Sequence, residues 1–186
     1  MPGSGCVGAL TVRHTYLLVF APLMLALAYG GCARSRGSGG FAPHGGGFSV
    51  QMPGKPEVAQ NTLNTPVGPM TVYHFSHETP AVIYGLTYSD APPDLAARFS
   101  PEVLVEAGVR NAVTTLGGRL TSQRALRLNG YPGREFVLER SELSTGRIRL
   151  FQVRERTYTI YAISPKDQVT SAPVVRYLES FRLQNP

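Results

Sequence analysis

Thr157-Tyr158-Thr159-Ile160-Tyr161-Ala162-Ile163 carries apolar or aromatic side chains at both phases of a two-residue alternation. Successive side chains of a strand point to opposite faces, so such a run marks a central strand covered on both sides. That strand needs a sheet around it, and the residues before it supply one. Residues 119–128, 134–142 and 147–154 read as three further strands. Short turn sequences lie between them at Asn129-Gly130-Tyr131-Pro132, Ser144-Thr145-Gly146 and Arg154-Glu155-Arg156, and connections that short predict antiparallel hairpins in a meander. Within 147–154, Arg147 and Arg149 alternate with Ile148 and Leu150, whereas Phe151 and Val153 break the phase, which implies a bulge or a covered second face.

Upstream of the meander, Ser100-Pro101-Glu102 reads as an N-cap, a first-turn proline and a first-turn acid, and Gly117-Gly118 ends the helix they open. Val105, Val109, Ala112, Val113 and Leu116 recur at three- and four-residue spacing, a stripe made to pack on a sheet. Further back, residues 48–52 alternate as a strand stopped by Pro53-Gly54-Lys55-Pro56, residues 58–63 form a weaker strand, and residues 81–89 another. Residues 70–76 place Met70, Val72 and His74 on one face, with Thr71, Tyr73 and Phe75 on the other. Residues 90–99 connect, with room for one helical turn. Ser171-Ala172-Pro173 opens a closing helix over 171–181 whose buried stripe is Val174, Tyr177, Leu178 and Phe181. The expected class is α+β, a large antiparallel sheet flanked by helices.

Three segments carry a resemblance across this region: Phe48-x-Val50-x-Met52-Pro53-Gly54-x-Pro56, Gly130-Tyr131-Pro132-Gly133-Arg134-Glu135-Phe136, and Tyr177-Leu178-x-Ser180-Phe181-Arg182-Leu183. In order and spacing they resemble the PsbP-like superfamily of exported α/β/α-sandwich domains, which includes small bacterial lipoproteins. The resemblance implies an assembly or interaction module and carries no catalytic motif.

The N-terminal residues point to export. Arg13 precedes an apolar run over 16–29, and Gly30-Gly31-Cys32 follows it. As a helix the run would span roughly 21 Å, short of a ~30 Å hydrocarbon core, so it reads as a signal rather than an anchor. Gly30-Gly31-Cys32 resembles the lipobox of bacterial lipoproteins, with Tyr29 where an aliphatic residue is usual. Residues 1–31 are then a signal peptide and Cys32 the lipid-attachment site, carrying palmitate-type acyl chains. The alternative is cleavage after Ala26-Leu27-Ala28, releasing a secreted protein with Cys32 as a lone thiol. Ala33, next to Cys32, resembles the class sorted to the outer membrane in cells that have two membranes. Residues 32–47, rich in Gly, Ser and Arg, read as a flexible tether with a coil dimension of roughly 20 Å. Residues 48–186, about 140 in number, suffice for one domain with a real core.

The chain has 18 Lys+Arg against 12 Asp+Glu. Arg13, Arg34 and Arg36 precede the domain, so the domain itself is only weakly basic. His74 and His77 have the spacing of a helical metal pair, but on a strand they point to opposite faces, and no third ligand accompanies them. Glu135 and Glu139 share a strand face roughly 13 Å apart, too far for either glycosidase geometry, and read as a solvated, charge-paired face. Arg147, Arg149, Arg154 and Arg156 lie near Phe151, Tyr158 and Tyr161, a pattern superficially suited to nucleic acid, which export argues against. No nucleophile elbow, phosphate loop or dinucleotide fingerprint is present. The expected function is therefore a non-catalytic interaction or assembly domain of the cell envelope, lipid-anchored, without metal or cofactor, engaging an envelope protein. A small-ligand binder with a pocket between sheet and helix is the alternative, and an enzyme with a site assembled across strands the third.

Overall fold

Asn129 and Gly130 both adopt positive φ, 50° and 86°, the geometry of a two-residue hairpin turn whose twist matches that of the strands it joins. The turn is therefore shorter than the sequence suggests, because Tyr131 and Pro132 already belong to the following strand. The computed structural model describes residues 40–65 and 68–184. The signal run, Cys32 and most of the expected tether lie outside the described residues. In chain order the strands are β1 (Phe48–Ser49), β2 (Glu57–Thr65), β3 (Gly68–Glu78), β4 (Ile83–Asp90), β5 (Arg119–Leu128), β6 (Tyr131–Glu139), β7 (Ser144–Val153), β8 (Arg156–Pro165) and β9 (Arg182–Leu183). The helices are α1 (Pro93–Arg98), α2 (Pro101–Leu116) and α3 (Ala172–Glu179).

Seven strands form one antiparallel sheet in the order β2-β3-β4-β8-β7-β6-β5. The expected meander is the β5-β6-β7-β8 half, and β8 is the central strand, as its two-faced apolar pattern predicts. The join between the halves is β4 against β8, with Gly85 opposite Tyr161 and Thr87 opposite Thr159. Several boundaries differ from the sequence reading: β6 ends at Glu139 rather than at 142, and α3 ends at Glu179, leaving Phe181 beyond the helix. Ser144-Thr145-Gly146 starts β7 rather than turning, because Ser141 Oγ accepts the N–H groups of Leu143 and Ser144 and closes the turn earlier. Residues 48–52 do not enter the large sheet: β1 pairs with β9 in a separate two-stranded ribbon, Phe48 opposite Leu183.

Each face of the sheet has its own apolar cluster. On one face, Val105, Val109 and Ala112 of α2 pack on Phe136, Leu138, Ile148 and Leu150. Ser100 caps that helix, its Oγ accepting from Val103 N–H, and Pro101 occupies the first turn, where a missing N–H costs nothing. On the other face Val174, Tyr177 and Leu178 of α3, with Phe181, join Phe48, Val50, Leu86, Phe151, Tyr158 and Ile160. Phe151 thus belongs to the covered second face, which explains the phase change along β7.

Residues 40–47 correct the tether expectation. Phe41 bridges Val50, its N–H donating over 2.7 Å, and its ring packs 5.1 Å from that of Phe75. Positive φ at Gly45 and Gly47 turns the Gly46 carbonyl toward the domain, where it accepts from the Tyr158 hydroxyl at 2.8 Å and from Arg156 at 3.0 Å. Glycine-rich composition there serves a fixed turn, and the folded region begins before Phe48.

Candidate functional site

One helix of 16 residues cannot cover seven strands. α2 lies over β6 and β7, and the same sheet face continues past it across β8, β4, β3 and β2. Between this uncovered face and the flank of α2 runs a cleft of about 460 Å³, within the size range of small-molecule sites. Met70, Val72, His74, Thr87, Ser89, Thr157, Thr159 and Tyr161 form its floor. Leu104, Gly108, Asn111 and Leu116 from α2 form the opposite wall, and Leu95 of α1 lies at one end.

The floor residues share a face because of the register. His74 stands opposite Thr87, Thr87 opposite Thr159, and Ser89 opposite Thr157. Tyr161 reaches His74 across β4 because position 85 is glycine: a Cβ there would lie 2.1 Å from Tyr161 Cζ. The Tyr161 hydroxyl and His74 Nε2 are 2.6 Å apart, and the rings are nearly parallel. Burial lowers the His74 pKa below its ordinary value and raises that of Tyr161, which favours the neutral form of each. Farther along, the Thr157 hydroxyl donates to Gln152 Oε1 at 2.6 Å, and Gln152 Nε2 donates to the Arg154 carbonyl. Gly108 lets α2 approach closely, since a Cβ there would be 2.7 Å from Leu150 Cδ1.

The residues weighed in the sequence are distributed as follows. His74 and His77 do face opposite ways. His74 is half-buried and bonded to Tyr161, while His77 lies over Gly54 with Nδ1 3.3 Å from the Lys55 carbonyl. Among the described residues no group of three or more His, Cys, Asp or Glu side chains converges on a metal position. Glu135 is charge-paired but not solvated, being only 6% exposed. It accepts from Arg124 Nε at 2.9 Å, Arg147 at 3.0 Å and Arg149 Nε at 2.6 Å. Burial pushes its pKa up, but the hydrogen bonds from Arg149, Arg147 and Arg124 outweigh that and hold it down at about 2. Glu139 pairs separately with Lys166 and Arg119. Arg156 is bidentate to Asp90 at 2.5 and 2.7 Å, with its guanidinium 4.6 Å from the Tyr88 ring centroid. The four arginines thus do not form one basic surface: Arg147, Arg149 and Arg156 are each engaged within the domain, and Arg154 alone is exposed. Cys32 lies outside the described residues.

The cleft residues Thr87, Thr159, Tyr161 and Gln152 escaped sequence reasoning. The available signal was glycine inside otherwise regular elements, Gly85 in β4 and Gly108 in α2, where it is unfavourable unless something approaches closely.

No family model matches the chain, and no curated protein does. Among solved structures it is similar to the solution structure of cyanobacterial PsbP (CyanoP) from Synechocystis sp. PCC 6803, at 11% identity and TM-score 0.51, over 77% of this chain and 91% of that one. A protein of unknown function from Pseudomonas aeruginosa, PA94, described as a putative regulator, matches at 12% identity and TM-score 0.36, over 59% of this chain and 85% of that one. The first likeness shows a PsbP-like fold dominated by an antiparallel sheet. At that identity it shows the fold alone.

Proposed function

We propose that this PsbP-like domain is exported, held to the envelope membrane by a lipid on Cys32, and binds a small molecule without transforming it. The observation that carries the reading is the cleft between α2 and the uncovered half of the sheet. Its volume, its mixed apolar and polar walls and its origin in two regular elements are those of a largely pre-formed binding site. This supports the small-ligand alternative ahead of docking by another envelope protein. Among the described residues no third group bonds the His74–Tyr161 pair to orient it as a base, which favours recognition over catalysis. Gly30-Gly31-Cys32 after an apolar run of signal length supports the membrane location.

The neutral fluorescent amphiphile N-phenyl-1-naphthylamine tests the binding. The full chain with Cys32→Ala, in which no acyl chain can compete for the cleft, is expected to enhance its emission saturably. Thr159→Phe fills the centre of the floor with a strong strand former and should abolish that enhancement while leaving the circular dichroism spectrum unchanged. Equal enhancement by the folded Thr159→Phe protein would refute the cleft as the binding site.

A further inference from the structure

Among the described residues twenty line the cleft, and none of them is Lys, Arg, Asp or Glu, although those four types make up 16% of the chain. The register explains how the charges are kept out. Arg147, Arg149 and Arg156 alternate with cleft-side residues along β7 and β8, so they project to the opposite face, where Glu135 and Asp90 bind them. What remains on the cleft side is uncharged but able to hydrogen-bond. Thr87 and Thr159 are directly opposed across β4 and β8, with Ser89 beside them. Among the described residues the hydroxyls of Thr87, Thr159 and Ser89 have no side-chain hydrogen-bond partner, whereas Thr157 is already bonded to Gln152. Across the cleft Leu104, Ala112 and Leu116 present only hydrocarbon. The two walls therefore differ in balance: the floor carries free hydroxyls at its centre, whereas the α2 flank is mainly hydrocarbon, with Asn111 and Thr115 as its polar members.

The geometry points to an uncharged amphiphile as the occupant, with hydroxyl or carbonyl groups along one edge and hydrocarbon along the other. This rests on the ligand-binding reading above and names its ligand class. A charged group entering the cleft would give up hydration and meet no charged side chain on the described lining; Arg140, the cation beside it, is engaged by the Leu116 carbonyl at 2.8 Å. A hydroxyl or carbonyl would exchange water for Thr87, Thr159 and Ser89, and a plain hydrocarbon would leave those groups unpaired. The His74–Tyr161 pair suits the same class, because a phenol bonded to a neutral imidazole keeps capacity to donate or to accept according to the tautomer.

Four fluorescent probes of one skeleton decide the matter: pyrene, 1-pyrenemethanol, 1-pyrenecarboxylate and 1-pyrenemethylammonium, titrated at pH 7 into the full chain with Cys32→Ala. The alcohol is expected to bind about tenfold or more tightly than either ion, and more tightly than pyrene. The near-isosteric double substitution Thr87→Val, Thr159→Val should erase the preference of the alcohol over pyrene while keeping pyrene bound. Ser89→Ala supplies a second, milder variant whose preference should fall part of the way. Equal binding of all four probes, or tighter binding of an ion, overturns the ligand class and leaves the cleft a binding site. An undiminished alcohol preference in the folded double variant overturns the role given to the hydroxyl floor. Failure of all four probes to bind overturns the ligand-binding reading itself.

Discussion

The Tyr161 ring lies directly across Gly85, so close that its hydroxyl, 2.6 Å from His74 Nε2, would be 2.4 Å from a Cβ at position 85. One missing methyl group on β4 therefore lets a side chain of β8 reach a side chain of β3, and it joins the two halves of the sheet on the cleft side.

Gly85→Ala should displace that ring and break its bond to His74. Forcing a methyl group into a packed site costs about 1–3 kcal/mol, so calorimetry should show a melting temperature several degrees lower. Tyr161→Leu removes the obstructing ring, and alanine at position 85 should be much less costly in that background. An equal penalty in both backgrounds would show that the ring contact is not the cause.

Glu135 makes stability depend on acid. Its folded pKa is about 2, below the ordinary 4.5, so the folded state binds its proton less readily than the unfolded chain. The stabilisation is fully present above about pH 4.5 and is lost as pH falls through the folded pKa near 2. Denaturant melts between pH 5 and pH 2 should show this decline, and Glu135→Gln should flatten it. At neutral pH the same substitution leaves the mostly buried Arg147 without its carboxylate and Arg149 with only that of Glu179, 3.7 Å away, and should cost about 3 kcal/mol.

Phe181, 3% exposed, packs against the rings of Phe48, Phe151 and Tyr158 at 5.3–6.0 Å between centroids. Phe181→Ala should cost about 3–5 kcal/mol, a large part of the ~5–15 kcal/mol available to a domain. Thermal denaturation of the Cys32→Ala protein checks it, and an unchanged melting temperature would mean that the ring is not part of the core.

Phe41 extends the same aromatic cluster from outside the expected domain boundary. Being only half-buried, it should contribute less, and Phe41→Ala should lower stability by about 1–2 kcal/mol. Deleting everything before Phe48 should cost more, because Tyr158 and Arg156 would also lose the Gly46 carbonyl. Chemical denaturation of the two shortened or substituted chains separates these contributions.

Acylation at Cys32 is checked by intact mass and fatty-acid labelling. The wild type should begin at Cys32 and carry label, and Cys32→Ala should carry none. An unlabelled chain beginning at Tyr29 would instead favour secretion.

Alternation along β3 and β8, the Ser100 cap and the α2 stripe were legible because each depends on neighbours within a few residues, where strand and helix periods dictate which side chains share a face. By the same logic the sequence alone separated His74 from His77 and marked β8 as central, although on its α2 side Tyr161 joins the α2 cluster while Thr157 and Thr159 face the cleft. It could not reveal that β8 pairs with β4, that β1 leaves the sheet for β9, or that Phe41 finds a place beside Phe75, since these unions join residues far apart in the chain and are selected by packing. The cleft belongs wholly to that second category. No local pattern marks Thr87 and Thr159 as partners, and only the register of β4 on β8, together with the distance that α2 can cover, leaves their hydroxyls facing the cleft.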